Sequence, residues 1–119
     1  MKYFRAIQAL HPNLVGYAIE DDSTADLAIS TLSNWPAGIP VPTAAEISVK
    51  YDRMILAESA QIALDQITGA RGTLARCAAA GIAFPPEWIA HVASLRLIAN
   101  GTDTASTVLP KTPLYPAGT

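Results

Sequence analysis

The chain has 119 residues, half of them hydrophobic and only 15% charged, with a formal net charge of −2. That is about one domain's worth of chain, too short for a large multidomain enzyme and too hydrophobic for a disordered one. The slightly acidic balance predicts no nucleic-acid or anionic-membrane partner, and one cysteine, Cys77, excludes an intramolecular disulfide scaffold.

In chain order, Lys2 to Leu10 reads as a short amphipathic helix, because Phe4, Ile7 and Leu10 recur at spacing three. His11-Pro12-Asn13 stops it, since the residue before proline disfavours helical geometry. Val15, Tyr17 and Ile19 alternate with smaller or polar residues, the period of a half-buried strand. After the polar turn Asp21–Thr24, Leu27, Ile29 and Thr31 alternate again, which predicts a second antiparallel strand and hence a β-hairpin. A helix over Thr24–Leu32 competes with it, because Ala25, Leu27 and Ala28 tolerate one. Three prolines between Pro36 and Pro42 exclude regular structure and mark a linker packed through Trp35, Ile39 and Val41.

Thr43-Ala44-Ala45-Glu46 has the pattern of a capping box and opens the main helix, expected to run to about Thr68. Ile47, Tyr51, Met54 and Ile55 share one face. Leu56, Ala60, Ala63, Leu64 and Ile67 continue an apolar surface that drifts around the helix. A second helix over Ala70–Ala80 ends at Gly81, and a third starts at Pro85-Pro86-Glu87 and stops at Asn100-Gly101. Its apolar stripe is Trp88, Val92, Leu95, Ile98 and Ala99, with His91 placed on the helix surface. From Thr102 to Thr119 threonine and proline dominate, and an extended arm is expected. The fold class expected is α+β: residues 1–42 an N-terminal helix, β-hairpin and linker, residues 43–101 a helical hairpin or bundle, and residues 102–119 the arm.

No phosphate-cradling glycine loop, metal-spaced Cys/His cluster or nucleophile elbow is present in the sequence. The residues therefore predict no enzyme activity, no catalytic residue, no metal site and no cofactor. Asp21, Asp22 and Asp26 lack the spacing of a calcium loop and read as a solvated turn. The N-terminal segment lacks the apolar core of a signal peptide, and no apolar run is long enough to span a membrane, so a cytoplasmic protein is expected. The wide apolar surface of the main helix predicts pairing with a second copy or a partner helix, if the third helix does not cover it. Candidate partner-binding residues are Trp35, Ile47, Tyr51, Leu56 and Ile62. In the arm, Val108, Leu109, Leu114 and Tyr115 are apolar anchors for a neighbouring subunit or another protein.

The order Tyr3-Phe4-Arg5-Ala6-Ile7, His11-Pro12-Asn13, Trp35 and Val41-Pro42-Thr43-Ala44-Ala45-Glu46-Ile47 resembles the small XkdW-like proteins of bacteriophage tail modules. The end of the chain, Leu95-Arg96-Leu97-Ile98 followed by Leu109-Pro110 and Pro113-Leu114-Tyr115-Pro116, is similar to the tails of phage tail-fibre assembly chaperones. The resemblance covers about 50 residues at the N-terminus and the last 25 more loosely, and the alanine-rich second half departs from it. It implies a non-enzymatic chaperone or accessory protein that binds a tail fibre, acting in the bacterial host cytoplasm during assembly. The alternative is a structural virion component, an adaptor in the tail fibre or baseplate.

Overall fold

The computed structural model describes residues 2–119. The described chain is mainly helical with one small sheet, in the order α1 (Lys2–Leu10), β1 (Ala18–Ile19), α2 (Ala25–Ser30), β2 (Leu32–Ser33), α3 (Ala44–Thr68), α4 (Thr73–Ala80) and α5 (Pro86–Ala99). Two compact units divide it, Met1–Met54 and Ile55–Thr119. The boundary falls inside α3 rather than at the proline linker, because each half of that helix supplies side chains to its own core.

In the first unit, α1 buries Ala6 and Ile7. Its first turn is closed by a residue far along the chain: the Phe4 N–H donates to Asp22 Oδ2 at 3.1 Å. A carboxylate there satisfies a backbone donor that the helix cannot and complements its dipole. Asp22 thus has a structural task that a solvated turn does not describe. Asp21 organises the same turn, accepting from the Ser23 N–H at 2.9 Å and the Ser23 hydroxyl at 2.8 Å. Those bonds favour its charged form and hold its pKa down, the backbone bond first.

The expected second strand over Leu27–Thr31 is instead helix α2. Thr24 caps it, its hydroxyl accepting from the Leu27 N–H at 3.1 Å. The inward residues are Ala25, Ala28 and Ile29, at helical spacing, and Leu27 is left exposed. Alternation over three residues was too short to outweigh a good N-cap. The strands are correspondingly brief: β1 and β2 pair antiparallel, Ala18 opposite Ser33 and Ile19 opposite Leu32. With α2 between them they do not form a hairpin, and Val15, expected in the strand, is exposed. The first core joins Ala6, Ile7, Tyr17, Ile19, Ala28 and Ile47, with Phe4, Trp35, Tyr51 and Met54 packed around them.

The capping box at Thr43 forms as expected. The Glu46 N–H donates to the Thr43 hydroxyl at 3.1 Å, and the Thr43 N–H reaches Glu46 Oε1 at 3.5 Å. In the second unit Ala60, Leu64 and Ile67 of α3 pack with Trp88, Val92, Leu95 and Ile98 of α5, and Leu56, Ala63, Phe84 and Leu109 flank them. The third helix therefore covers much of the apolar surface that suggested pairing between copies. The turn into α4 requires Gly72, because a Cβ there would collide with the carbonyl oxygens of Gln66 and Ile67. Gly81 ends α4 in the left-handed region at φ +71°, and Pro86 opens α5 in the first turn, where its missing donor costs nothing.

Thr43→Ala should lower the unfolding free energy by about 1 kcal/mol, the usual loss for an N-cap hydroxyl. A shift in the urea midpoint with unchanged slope measures it.

Candidate interaction surface

The residues expected to bind a partner fall into three environments. Ile47 is 0% exposed and belongs to the first core, so it has no surface to offer. Periodicity marked it as apolar but did not separate a core contact from an interface contact. Trp35 is half-buried. Its indole N–H donates to the Ile39 carbonyl at 2.9 Å, and its ring meets Tyr17 and His11 edge-on at 5.1 and 5.3 Å. It clamps the proline linker to the first unit. Tyr51 is also half-buried, 5.2 Å from the Tyr3 ring, with Lys2 Nζ 5.1 Å from its centroid.

In the second unit, Leu56 lies against the core, whereas Ile62 is 59% exposed and remains available to a partner. Val108 is also exposed.

The arm is the main revision. It is extended, as expected, but residues 109–116 are seated on their own unit. Asp103 begins the approach: its N–H donates to the Leu97 carbonyl at 2.9 Å, and its carboxylate accepts from the Ala105 and Ser106 N–H groups and the Ser106 hydroxyl. These bonds lower its pKa, the Ser106 hydroxyl contributing most. Leu109 then joins the core edge. The Trp88 indole N–H donates to the Leu114 carbonyl at 2.9 Å. The Tyr115 ring lies 5.6 Å from the Trp88 ring, with the Arg76 guanidinium 5.3 Å from its centroid. Trp88 is 1% exposed, so its N–H needs this acceptor. Outward, the Leu114 side chain is 92% exposed and Tyr115 is 66% exposed. The strap therefore holds on by backbone and ring face.

Two further features were not anticipated. His91, expected at the surface, is buried edge-on against Trp88 at 5.7 Å, and burial pushes its pKa below the ordinary 6.5. The outer face of α5 is apolar: Ile89, Ala93 and Leu97 recur at every fourth residue and are all exposed. The second stripe is interleaved in sequence with the inward one of Trp88, Val92 and Leu95, so periodicity alone does not say which of the two faces the core.

In the first unit a shallow pocket of ≈ 350 Å³ is lined by Leu10, Ala45, Glu46, Val49, Lys50 and Arg53. Among the described residues, no group of three or more His, Cys, Asp and Glu side chains is placed to hold a metal ion. No described helix is long and apolar enough to cross a membrane. Cys77 is buried in α4, as a packing residue is. The chain matches no known family model, no curated protein and no solved structure.

The strap makes truncation informative. Removing residues 102–119 uncovers Leu109's contacts and orphans the Trp88 N–H, so the melting temperature should fall, for a loss of about 2 kcal/mol. Differential scanning calorimetry on both chains measures it. His91 supplies a pH dependence. Above about pH 6.5 the folded and unfolded chains are both neutral at this residue. As pH falls below 6.5 the unfolded chain takes the proton first, so stability declines until the pH passes the lower folded pKa. Urea midpoints at pH 7.5 and 5.5 should differ more in the parent chain than in His91→Leu.

Proposed function

We propose that this chain is a non-catalytic binding protein of a phage tail gene cluster. It assists tail-fibre assembly by covering an apolar surface of the fibre until the fibre folds. The observation that carries this reading is the two-sided character of α5. Trp88, Val92, Leu95 and Ile98 fill the unit's own core, while Ile89, Ala93 and Leu97 form a second apolar stripe open to solvent. A helix apolar on both faces fits burial on both, and the outer stripe is left uncovered by the described residues of its own unit. The motif order from Tyr3 to Ile47 supplies the expectation of what covers it. Masking needs no nucleotide and no catalytic group, because binding the exposed form better than the folded one is sufficient.

The test is coexpression with the fibre protein encoded in the same cluster. The parent chain should copurify with it, and the pair Ile89→Asp and Leu97→Asp should lose that association while retaining helical circular dichroism. Equal copurification by the variant refutes the role of α5. Mass spectrometry of purified particles then separates the readings, since a chaperone is absent and an adaptor is present in fixed ratio.

A further inference from the structure

The shallow pocket of the first unit lies between the end of α1 and the first turns of α3. Glu46, Val49, Lys50 and Arg53 recur at helical spacing and share one face of α3. That face is not the inward one, which sends Ile47 into the first core. Leu10, Ala45 and Val49 give the pocket an apolar lining, and the stems of Lys50 and Arg53 extend it while their charged ends stay at the surface. The charge around it is one-sided. Two of the unit's four lysines and arginines, Lys50 and Arg53, line the pocket, whereas four of its six acidic residues lie together between Glu20 and Asp26. The one carboxylate of the lining, Glu46, is committed to the helix cap, accepting from the Thr43 N–H at 3.5 Å and from the Thr43 hydroxyl at 3.2 Å.

We infer that this pocket docks an acidic segment of a partner polypeptide, taking one apolar side chain against Leu10, Ala45 and Val49 and a nearby carboxylate against Lys50 or Arg53. Charge complementarity selects the occupant. The pocket is the basic spot of a unit whose remaining surface is mostly acidic, so a basic or neutral segment gains nothing there and an acidic one is steered to it. The shape selects a polypeptide over a free small molecule. At ≈ 350 Å³ the space is near the lower end of the roughly 300–1,000 Å³ of small-molecule pockets. Being shallow, it cannot enclose a whole ligand, but it can take one side chain of a segment that continues across the surface. In an extended segment, residues two apart point to the same side, so a carboxylate two positions from the apolar residue faces the same surface as that residue. This site is separate from the outer stripe of α5, which belongs to the second unit, and the two readings stand or fall independently.

The experiment titrates the ¹⁵N-labelled full chain with three probes at matched ionic strength, following the backbone amide signals. The first is the blocked peptide Gly-Glu-Gly-Leu-Gly-Glu-Gly, the second is the same peptide with glutamine for both glutamates, and the third is octanoate. The acidic peptide should shift the amides of Leu10, Ala45, Val49, Lys50 and Arg53, with a Kd on the order of 1 mM for one buried leucine and one or two exposed ion pairs. The glutamine peptide should bind about two- to fivefold more weakly for each pair lost, and added salt should narrow that difference. Lys50→Gln should weaken the acidic peptide by a similar factor. Val49 is 50% exposed, so Val49→Asp leaves the core intact, and it should abolish the shifts by placing a carboxylate where the leucine docks. The pair Ile89→Asp and Leu97→Asp should leave the titration unchanged, which keeps failure here distinct from failure of the role proposed for α5. Equal binding of the acidic and glutamine peptides overturns the proposal, as does an absence of shifts at these amides up to ~10 mM acidic peptide, ten times the expected Kd. Shifts with octanoate and with neither peptide overturn it in favour of a small amphiphile.

Discussion

Both cores depend on one helix. A chain of this size split into two units has little apolar surface to spare for each, and α3 serves both. Ile47 is fully buried in the first core, and Ala60, Leu64 and Ile67 lie in the second. The apolar surface that drifts along α3 reflects this double duty rather than one broad interface. Its ends are set by local chemistry of opposite kinds. At the start, Thr43 and Glu46 satisfy free backbone donors reciprocally. Past its end, Gly72 leaves room for two carbonyl oxygens where a side chain would not fit.

The buried polar groups show how the irregular segments are held. Both tryptophans send their indole N–H to a backbone carbonyl in a proline-rich stretch: Trp35 to Ile39, and Trp88 to Leu114. Proline-rich backbone cannot pair as a ladder, because prolines lack the donor, but its carbonyls remain acceptors. Tyr17 is the exception. Its hydroxyl is buried without a protein partner, and burial raises its pKa. Such an unpaired hydroxyl costs about 1–3 kcal/mol, offset here by ring contacts to Phe4 and Trp35.

Features governed by neighbours in sequence were legible. The capping box, the glycine stop at Gly81 and the proline start at Pro86 all act within one helical turn, and each appears where the residues placed it. Features governed by distant partners were not. Asp22 reaches Phe4 across 18 residues, and Trp88 reaches Leu114 across 26. Nothing in a periodic pattern encodes such bonds. The β-hairpin failed for a third reason: two competing local patterns overlapped, and three alternating residues weighed less than the Thr24 cap. The burial of His91 belongs to packing, since it lies close to the inward stripe of α5 and only the neighbouring side chains decide its exposure.

Exposed apolar residues alone say little about an interaction surface in this chain. With 15% of residues charged and half hydrophobic, polar groups cannot cover two small units, and some large apolar side chains must face water. Val15 and Val108 are exposed in this way, without a repeating neighbour to suggest more. The outer stripe of α5 differs because its exposure is periodic. Ile89, Ala93 and Leu97 share a face, so one partner surface can cover all three without disturbing Trp88, Val92 or Leu95 behind them. On α3, Ile55 and Ile62 are exposed seven residues apart on one face, but Glu58 and Ser59 lie between them, so the apolar run is broken there. Alignment along a helix is what distinguishes a binding face from the unavoidable residue of a small, weakly charged fold.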